Sequence, residues 1–152
     1  MRNSKPATDD DIQELIELFF FAYRDFTADP DAILAEIEFG RAHHRVIHFV
    51  GHRPGLTVAE LLELLRITKQ SLGRVLKQLV EEGFVNQVQD REDRRQKRLS
   101  LTEKGANLLE KLRTPQAVRI QSALLETGYA AEDAAHFLKA MTGSLTAADK
   151  KE

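Results

Sequence analysis

The sequence contains no cysteine, and this excludes disulfides, thiolate metal sites and thiol redox sensing together. No apolar run approaches the ~20 residues that span a bilayer. The opening MRNSKPATDDDIQ is polar and acidic where a signal peptide needs an apolar core. Internal repeats and low-complexity segments are missing. So are the G-x-S-x-G, P-loop, G-x-G-x-x-G and His-Glu-x-x-His patterns that carry catalysis or nucleotide binding. The expectation from these absences is a soluble, cytoplasmic protein that is not an enzyme, holds no cofactor or structural metal and has no membrane partner.

What is present is a core-forming chain of 152 residues with 42% hydrophobic content, enough for one domain or a small domain with helical appendages. Its formal charge of -2 hides an asymmetry. Residues 1–38 hold three cations against ten acids, a local charge of -7, whereas residues 66–98 hold nine against five, a local charge of +4. A positive field on an acidic protein suits a polyanion partner, because fixed charges act within about 8 to 10 Å in physiological salt.

Thr8 caps a first helix with acids in its first turn, where the helix dipole favours them. From Leu18 to Tyr23 this helix is apolar on nearly every face, and one small core cannot cover all of them; a second subunit is the natural cover. Asp29-Pro30 reads as a cap and first turn, starting a second helix through Ile33, Ile37, Val46, Phe49 and Val50 that stops near Gly51. Thr57-Val58-Ala59-Glu60 is a capping-box pattern opening a short helix to about Leu65, with Arg66 and Ile67 as a turn. Thr68 then caps a helix whose Leu72, Val75, Leu76, Leu79 and Val80 fall at i, i+3, i+4, i+7 and i+8, and Gly83 supplies a left-handed stop.

Phe84–Gln89 and Lys97–Leu101 are strand candidates, the second with Leu99 and Leu101 on one face and Arg98 and Ser100 on the other. The seven residues Asp90 to Gln96 between them are too charged for burial, so they should project. Thr102 caps a further helix that meets Pro115 and either kinks there or restarts with Thr114 as a new cap. A last helix runs from about Glu132 to Met141, and AADKKE at 147–152 reads as a frayed end.

Two short helices joined by a tight turn, then a two-stranded ribbon with a basic loop, make a winged helix-turn-helix in a mainly α chain with a minor β part. A helix fits the DNA major groove and a basic loop beside it reaches phosphate or the minor groove. The expected DNA contacts on the helix are Thr68, Lys69, Gln70, Ser71, Arg74 and Lys77. There Gln70 suits adenine and Arg74 guanine, with Lys69, Ser71 and Lys77 equally suited to phosphate. An amphipathic helix with a merely solvated face, in a winged-helix protein-interaction module that does not bind DNA, is the competing reading; it calls for an uncharged face and wing, the reverse of what stands here.

ITKQSLGRVLKQLVEEGFV followed by DREDRRQKRLSLTEKG resembles the multiple-antibiotic-resistance regulator (MarR) family of bacterial transcription factors. The matching positions are Asp93-Arg94-Arg95 for the D-x-R of the wing, Leu101-Thr102 and Gly105 for the following L-T-x-x-G, and Glu81 to Val85 for the end of the recognition helix. The likeness runs over about residues 8–142. It implies a homodimer on a palindromic double-stranded DNA operator, usually repressing, with recognition helices about 34 to 36 Å apart. It also implies that Arg95 reaches DNA with Asp93 orienting Arg95 or its neighbour, that Arg94 is a second phosphate contact, and that Lys97 adds to the wing.

On this reading residues 39–102 are the DNA-binding domain and 8–38 with 103–146 the helical dimerisation region. The expected interface residues are Leu15, Leu18, Phe19, Phe20, Tyr23, Phe137 and Met141. Many relatives release DNA when a small molecule binds between these regions, and His43, His44, His48 and Arg45 in GRAHHRVIHFVGHRPG are the candidate effector residues. His44, His48 and His52 share a helix face, yet no carboxylate stands at ligand spacing on it, so inter-helix contact or an effector pocket outweighs a metal site. Phe19, Phe20, Phe21 and Phe26 at helical spacing read as core or dimer contacts rather than a ligand box.

Overall fold

A computed structural model describes residues 4–143; the frayed end expected at 147–152 and the last residues of the expected dimerisation region lie outside them. The first helix, α1, spans Asp9–Ala35. The Thr8 hydroxyl accepts the Asp11 N–H at 3.2 Å, and Asp11 accepts the Thr8 N–H at 2.8 Å, a reciprocal cap. The Thr8 N–H, with the Thr8 hydroxyl donating to the same carboxylate at 2.8 Å, holds the Asp11 carboxyl below its ordinary pKa.

Asp29-Pro30 does not start a new helix. Pro30 is buried inside α1, and the helix continues to Ala35. A proline inside a helix has no N–H for the carbonyl four residues back, here that of Phe26. The Gln116 side-chain amide donates to that carbonyl at 3.4 Å, so a side chain distant in sequence partly replaces the lost donor. The real break comes at Glu38, whose φ of 59° ends the helix as Phe39 N–H turns back to the Leu34 carbonyl at 2.9 Å.

α2 (Arg41–His52) follows, then β1 (Leu56–Thr57), α3 (Val58–Leu65), α4 (Lys69–Glu81), β2 (Val85–Gln89) and β3 (Lys97–Leu101). Thr57 caps α3 by accepting the Glu60 N–H at 3.1 Å; this is the half of the expected capping box that forms. Arg66 makes the turn between α3 and α4 in the left-handed region, φ 51° and ψ 44°. Gly83, at φ 82°, ends α4 as expected. The sheet order is β1-β3-β2, all antiparallel, with Leu56 opposite Leu99 and Gln87 opposite Leu99 on its other side. β1 is a strand that the sequence reading omits, two residues too short to show an alternation.

α5 runs unbroken over Glu103–Thr127 with Pro115 inside it. Thr114 does not restart the helix. Its hydroxyl donates to the Glu110 carbonyl at 2.8 Å, a bond internal to a helical turn. α6 spans Ala131–Met141.

The chain divides into two compact units, Met1–Gln116 and Ala117–Glu152. The core of the first gathers Leu34, Val46, Ile47, Val50, Leu61, Leu72, Leu79, Leu99 and Leu112, each at most 1% exposed. One cluster thus joins the end of α1, all of α2 to α4, β3 and the start of α5. At about 1.5 to 3 kcal/mol for each fully buried aliphatic side chain, this cluster fixes α4 and β3 as a rigid base for their outward faces. In the second unit α6 has no buried residue.

Candidate nucleic-acid interface

α4 is amphipathic by construction. Leu72, Val75, Leu76 and Leu79 are buried, and this pins the opposite face outward. Its start is fixed by Thr68, whose hydroxyl accepts the Ser71 N–H at 3.1 Å and donates to the Ser71 hydroxyl at 2.8 Å. Thr68, Lys69, Gln70, Ser71, Arg74 and Lys77 are all exposed. Lys77 stands 3.9 Å from Glu81; Lys69 and Arg74 form no ion pair among the described residues. Gly73, which the sequence reading passes over, is exposed on the same helix, and a Cβ there would meet open space. A glycine inside a helix costs about 1 kcal/mol relative to alanine. That cost is the signal that marks the position as one where the helix surface stays clear.

The wing is an ordered loop. Asp90 N–H donates to the Gln96 carbonyl at 2.9 Å, Gln96 N–H to the Asp93 carbonyl at 3.0 Å, and the Gln89 side-chain amide to the Arg94 carbonyl at 2.7 Å. Asp93 Oδ1 accepts both the Arg95 backbone N–H at 3.1 Å and the Arg95 Nε–H at 3.2 Å. The Arg95 side chain is still 92% exposed, so the aspartate sets its root while its tip stays in solvent. The pair is an exposed one and contributes little to stability. Arg94 and Lys97 are exposed and unpaired by acids among the described residues.

Arg98 is committed elsewhere. It donates to the Gly55 carbonyl at 2.9 Å and pairs with Asp90 at 3.4 Å, tying the base of the wing to β1. The Arg98 hydrogen bond holds the Asp90 carboxyl below its ordinary pKa. Between α4 and the wing lies a groove of about 550 Å³ whose lining includes Gly73, Lys77, Glu81, Arg95 and Lys97. A helix face carrying Arg and Gln, a flanking basic loop and a groove between them suit a duplex with its phosphates along the rim.

The residues behind the wing also have a physical role. The Thr102 hydroxyl reaches the Gly83 carbonyl and receives the Gly105 N–H at 3.0 Å, linking the end of α4 to the start of α5. A Cβ on Gly105 would overlap the Phe84 carbonyl. The L-T-x-x-G spacing is therefore a hydroxyl clamp followed by a close helix-to-backbone approach.

Of the four proposed effector residues, His44 and His48 lie close enough to interact, whereas His43 points elsewhere. His43 faces α4, with Nε2 2.8 Å from Gln78 Oε1. His44 is half-buried beside Asp31, burial pushing its imidazole pKa down and Asp31 partly opposing that. His48 lies against His52 with ring centroids 4.4 Å apart and planes tilted by 30°; burial, then His52, His44 and Arg53, lower its pKa. Arg45 is exposed. No cluster of three or more metal-ligating side chains occurs among the described residues. A cluster also forms at the α1–α2 junction, where Arg41 binds Asp31 at 3.1 Å and Thr27 at 3.3 Å and lies over the Tyr23 ring. Leu15, Leu18, Phe19, Phe20, Tyr23, Phe137 and Met141 are all exposed in the single chain. No helix among the described residues is long and apolar enough to cross a membrane.

A model described as the MarR family matches residues 38–96. The HTH-type transcriptional regulator PetP of Rhodobacter capsulatus is 50% identical over 121 residues, 80% of this chain and 73% of that protein. Among solved structures, a mutant of MepR from S. aureus is similar with a TM-score of 0.71 at 19% identity, covering 87% of this chain and 97% of that one. FabT of Streptococcus pneumoniae, in complex with DNA, is similar with a TM-score of 0.70 at 20% identity, covering 88% and 94%. At those identities the solved structures speak for the fold, the winged helix built above. The likeness to PetP reaches further: the chain belongs to the MarR family of helix-turn-helix transcriptional regulators.

Proposed function

We propose that the protein is a homodimeric repressor that reads a palindromic double-stranded DNA operator, with α4 in the major groove and the Arg94-Arg95 tip of the wing on phosphate or in the minor groove. Regulators of this family are non-enzymatic DNA-binding proteins, and FabT was crystallised with DNA. The observation that carries the reading for this chain is the joint exposure of Gln70 and Arg74 on α4 and of a braced Arg95 on the wing, with Lys77 and Arg95 lining the groove between the two elements. A dimer is supported by the large exposed side chains of α1, Phe20 at 72% among them, since contiguous apolar surface of this kind marks an association face. On this reading residues 8–38 and 103–146 associate and 39–102 bind DNA. A small effector would act at the α1–α2 junction, where Arg41, Asp31 and His44 adjoin the associating helix.

Selection of bound duplexes from a random pool at moderate salt tests the proposal. Enrichment of a palindrome with half-sites one helical turn apart supports both DNA reading and two-fold symmetry. No enrichment would favour a protein-interaction module.

A further inference from the structure

His43 occupies a place that neither the DNA face nor the α1–α2 junction accounts for. It stands in the first turn of α2, and its Nδ1 lies 3.1 Å from the Gly40 backbone nitrogen. A backbone N–H only donates, so Nδ1 is the bare, accepting nitrogen and the ring proton sits on Nε2. Nε2–H then donates to Gln78 Oε1 at 2.8 Å. The ring is held flat against Phe39, with centroids 4.4 Å apart and planes within 2°. Phe39 in turn meets Phe84 edge-on at 5.3 Å, directly after the end of α4.

The placement of Gln78 gives this contact its meaning. Gln78 is one helical turn beyond Arg74 and next to Lys77, on the recognition helix itself. Among the described residues the His43–Gln78 bond is the only side-chain hydrogen bond between α2 and α4. Core aliphatic contacts hold the two helices together and set which face of α4 points outward, leaving its fine angle to directional contacts. A hydrogen bond to a ring locked by a second bond and a stack resists rotation of α4 about its own axis. Such rotation would swing Arg74 and Gln70 away from base edges while leaving flexible phosphate contacts in reach.

We propose that His43 is a positioning residue for base reading: in its Nε2–H tautomer it is a strut between the Glu38-Phe39-Gly40 bend and Gln78, setting the angle at which α4 presents Arg74. The inference rests on the DNA-binding reading above. It makes the bend between α1 and α2 part of the recognition surface's support, although the bend touches no DNA.

The test uses the full chain and the duplex selected from the random pool, with a scrambled duplex as reference. His43→Phe keeps the stack and removes both hydrogen bonds; Gln78→Leu removes the acceptor; Gln78→Glu keeps an acceptor oxygen. The expected result is that His43→Phe and Gln78→Leu each lower the ratio of specific to non-specific affinity by about 2- to 12-fold, the range of one net hydrogen bond. The double variant should lose no more than the larger single loss. The salt slope should stay at the wild-type value, and Gln78→Glu should restore the ratio. Nitrogen-15 spectra of the imidazole should show Nε2 protonated and Nδ1 bare in the wild type.

An unchanged ratio in both single variants, additive losses, or a Nδ1–H tautomer would overturn the strut. Should His43→Phe fail to fold, Gln78→Leu with its Gln78→Glu partner decides the matter. Absence of any selected duplex for the wild type overturns the DNA reading itself, a different outcome from wild-type binding that is indifferent to His43.

Discussion

The Thr102 hydroxyl donates a 2.6 Å hydrogen bond to the Gly83 carbonyl, so the left-handed residue that ends α4 is fastened to the residue just before α5. Thr102→Val keeps the shape and removes both this bond and the cap received by Gly105. A loss of about 1 to 2 kcal/mol is expected. Gly105→Ala, which must push the Phe84 carbonyl aside, should cost about 1 to 3 kcal/mol. Urea unfolding checks both, with a lower midpoint at unchanged slope as the expected outcome.

Arg95→Ala should weaken binding to every duplex, specific or not. The slope of log affinity against log salt should become shallower by about 0.9, the release of one counterion. An unchanged slope would remove Arg95 from the interface. Asp93→Asn, which leaves the arginine in place with a weaker brace, should give a smaller loss with the same slope.

Arg74→Ala should behave differently. If the guanidinium forks onto a guanine, the loss is about 1 to 3 kcal/mol at one base pair, and the preference at that position relaxes. Measuring affinities for the four base pairs at each operator position separates this from a phosphate contact, which would show an even loss across sequences.

Glu38 is a non-glycine residue at positive φ, a conformation that side chains with a Cβ adopt at a cost of roughly 1 to 2 kcal/mol. Glu38→Gly relieves that cost and adds chain freedom to the unfolded state. The expected balance is a gain of about 0.5 to 1 kcal/mol, read as a higher melting temperature.

His44 and His48 set a pH dependence. Both have pKa values pushed below the ordinary 6.5 by burial, so the unfolded chain binds protons at pH values where the folded chain does not. Their contribution is fully present above about pH 6.5 and is lost as pH falls through the lower folded values. Melting temperatures between pH 7.5 and 5 should decline, and replacing both histidines by glutamine should flatten the decline. The carboxyls of Asp11 and Asp90, lowered from 3.8 by their bonds, shed their contribution only in a separate, more acidic window.

Local chemistry made most of α4 and the wing legible. Thr68, the apolar stripe through Val80 and Gly83 specify α4 with no help from distant residues, and the run of charge from Asp90 to Gln96 cannot be buried. The departures were at Asp29-Pro30, which lies inside α1, and at β1, too short to show an alternation. Asp29-Pro30 has the chemistry of a helix start, and the donor that partly replaces the proline's missing N–H, Gln116 at the Phe26 carbonyl, stands 90 residues away in sequence. His43 was legible as a histidine near others, but its direction was not. A helix places residues 43 and 44 about 100° apart, and which of them meets α4 is decided by how the core seats α2.

The hydrogen bonds from Gln89 to Gln96 have a consequence for entropy. Fixing one residue's backbone costs about 1 to 2 kcal/mol of conformational freedom, and for the seven-residue wing that cost is met when the chain folds, before any duplex arrives. What remains to be immobilised at contact is the outer torsions of Arg94 and Arg95. On the proposed reading the wing meets a duplex as a preshaped edge with two mobile tips, and the freedom lost there is that of two side chains.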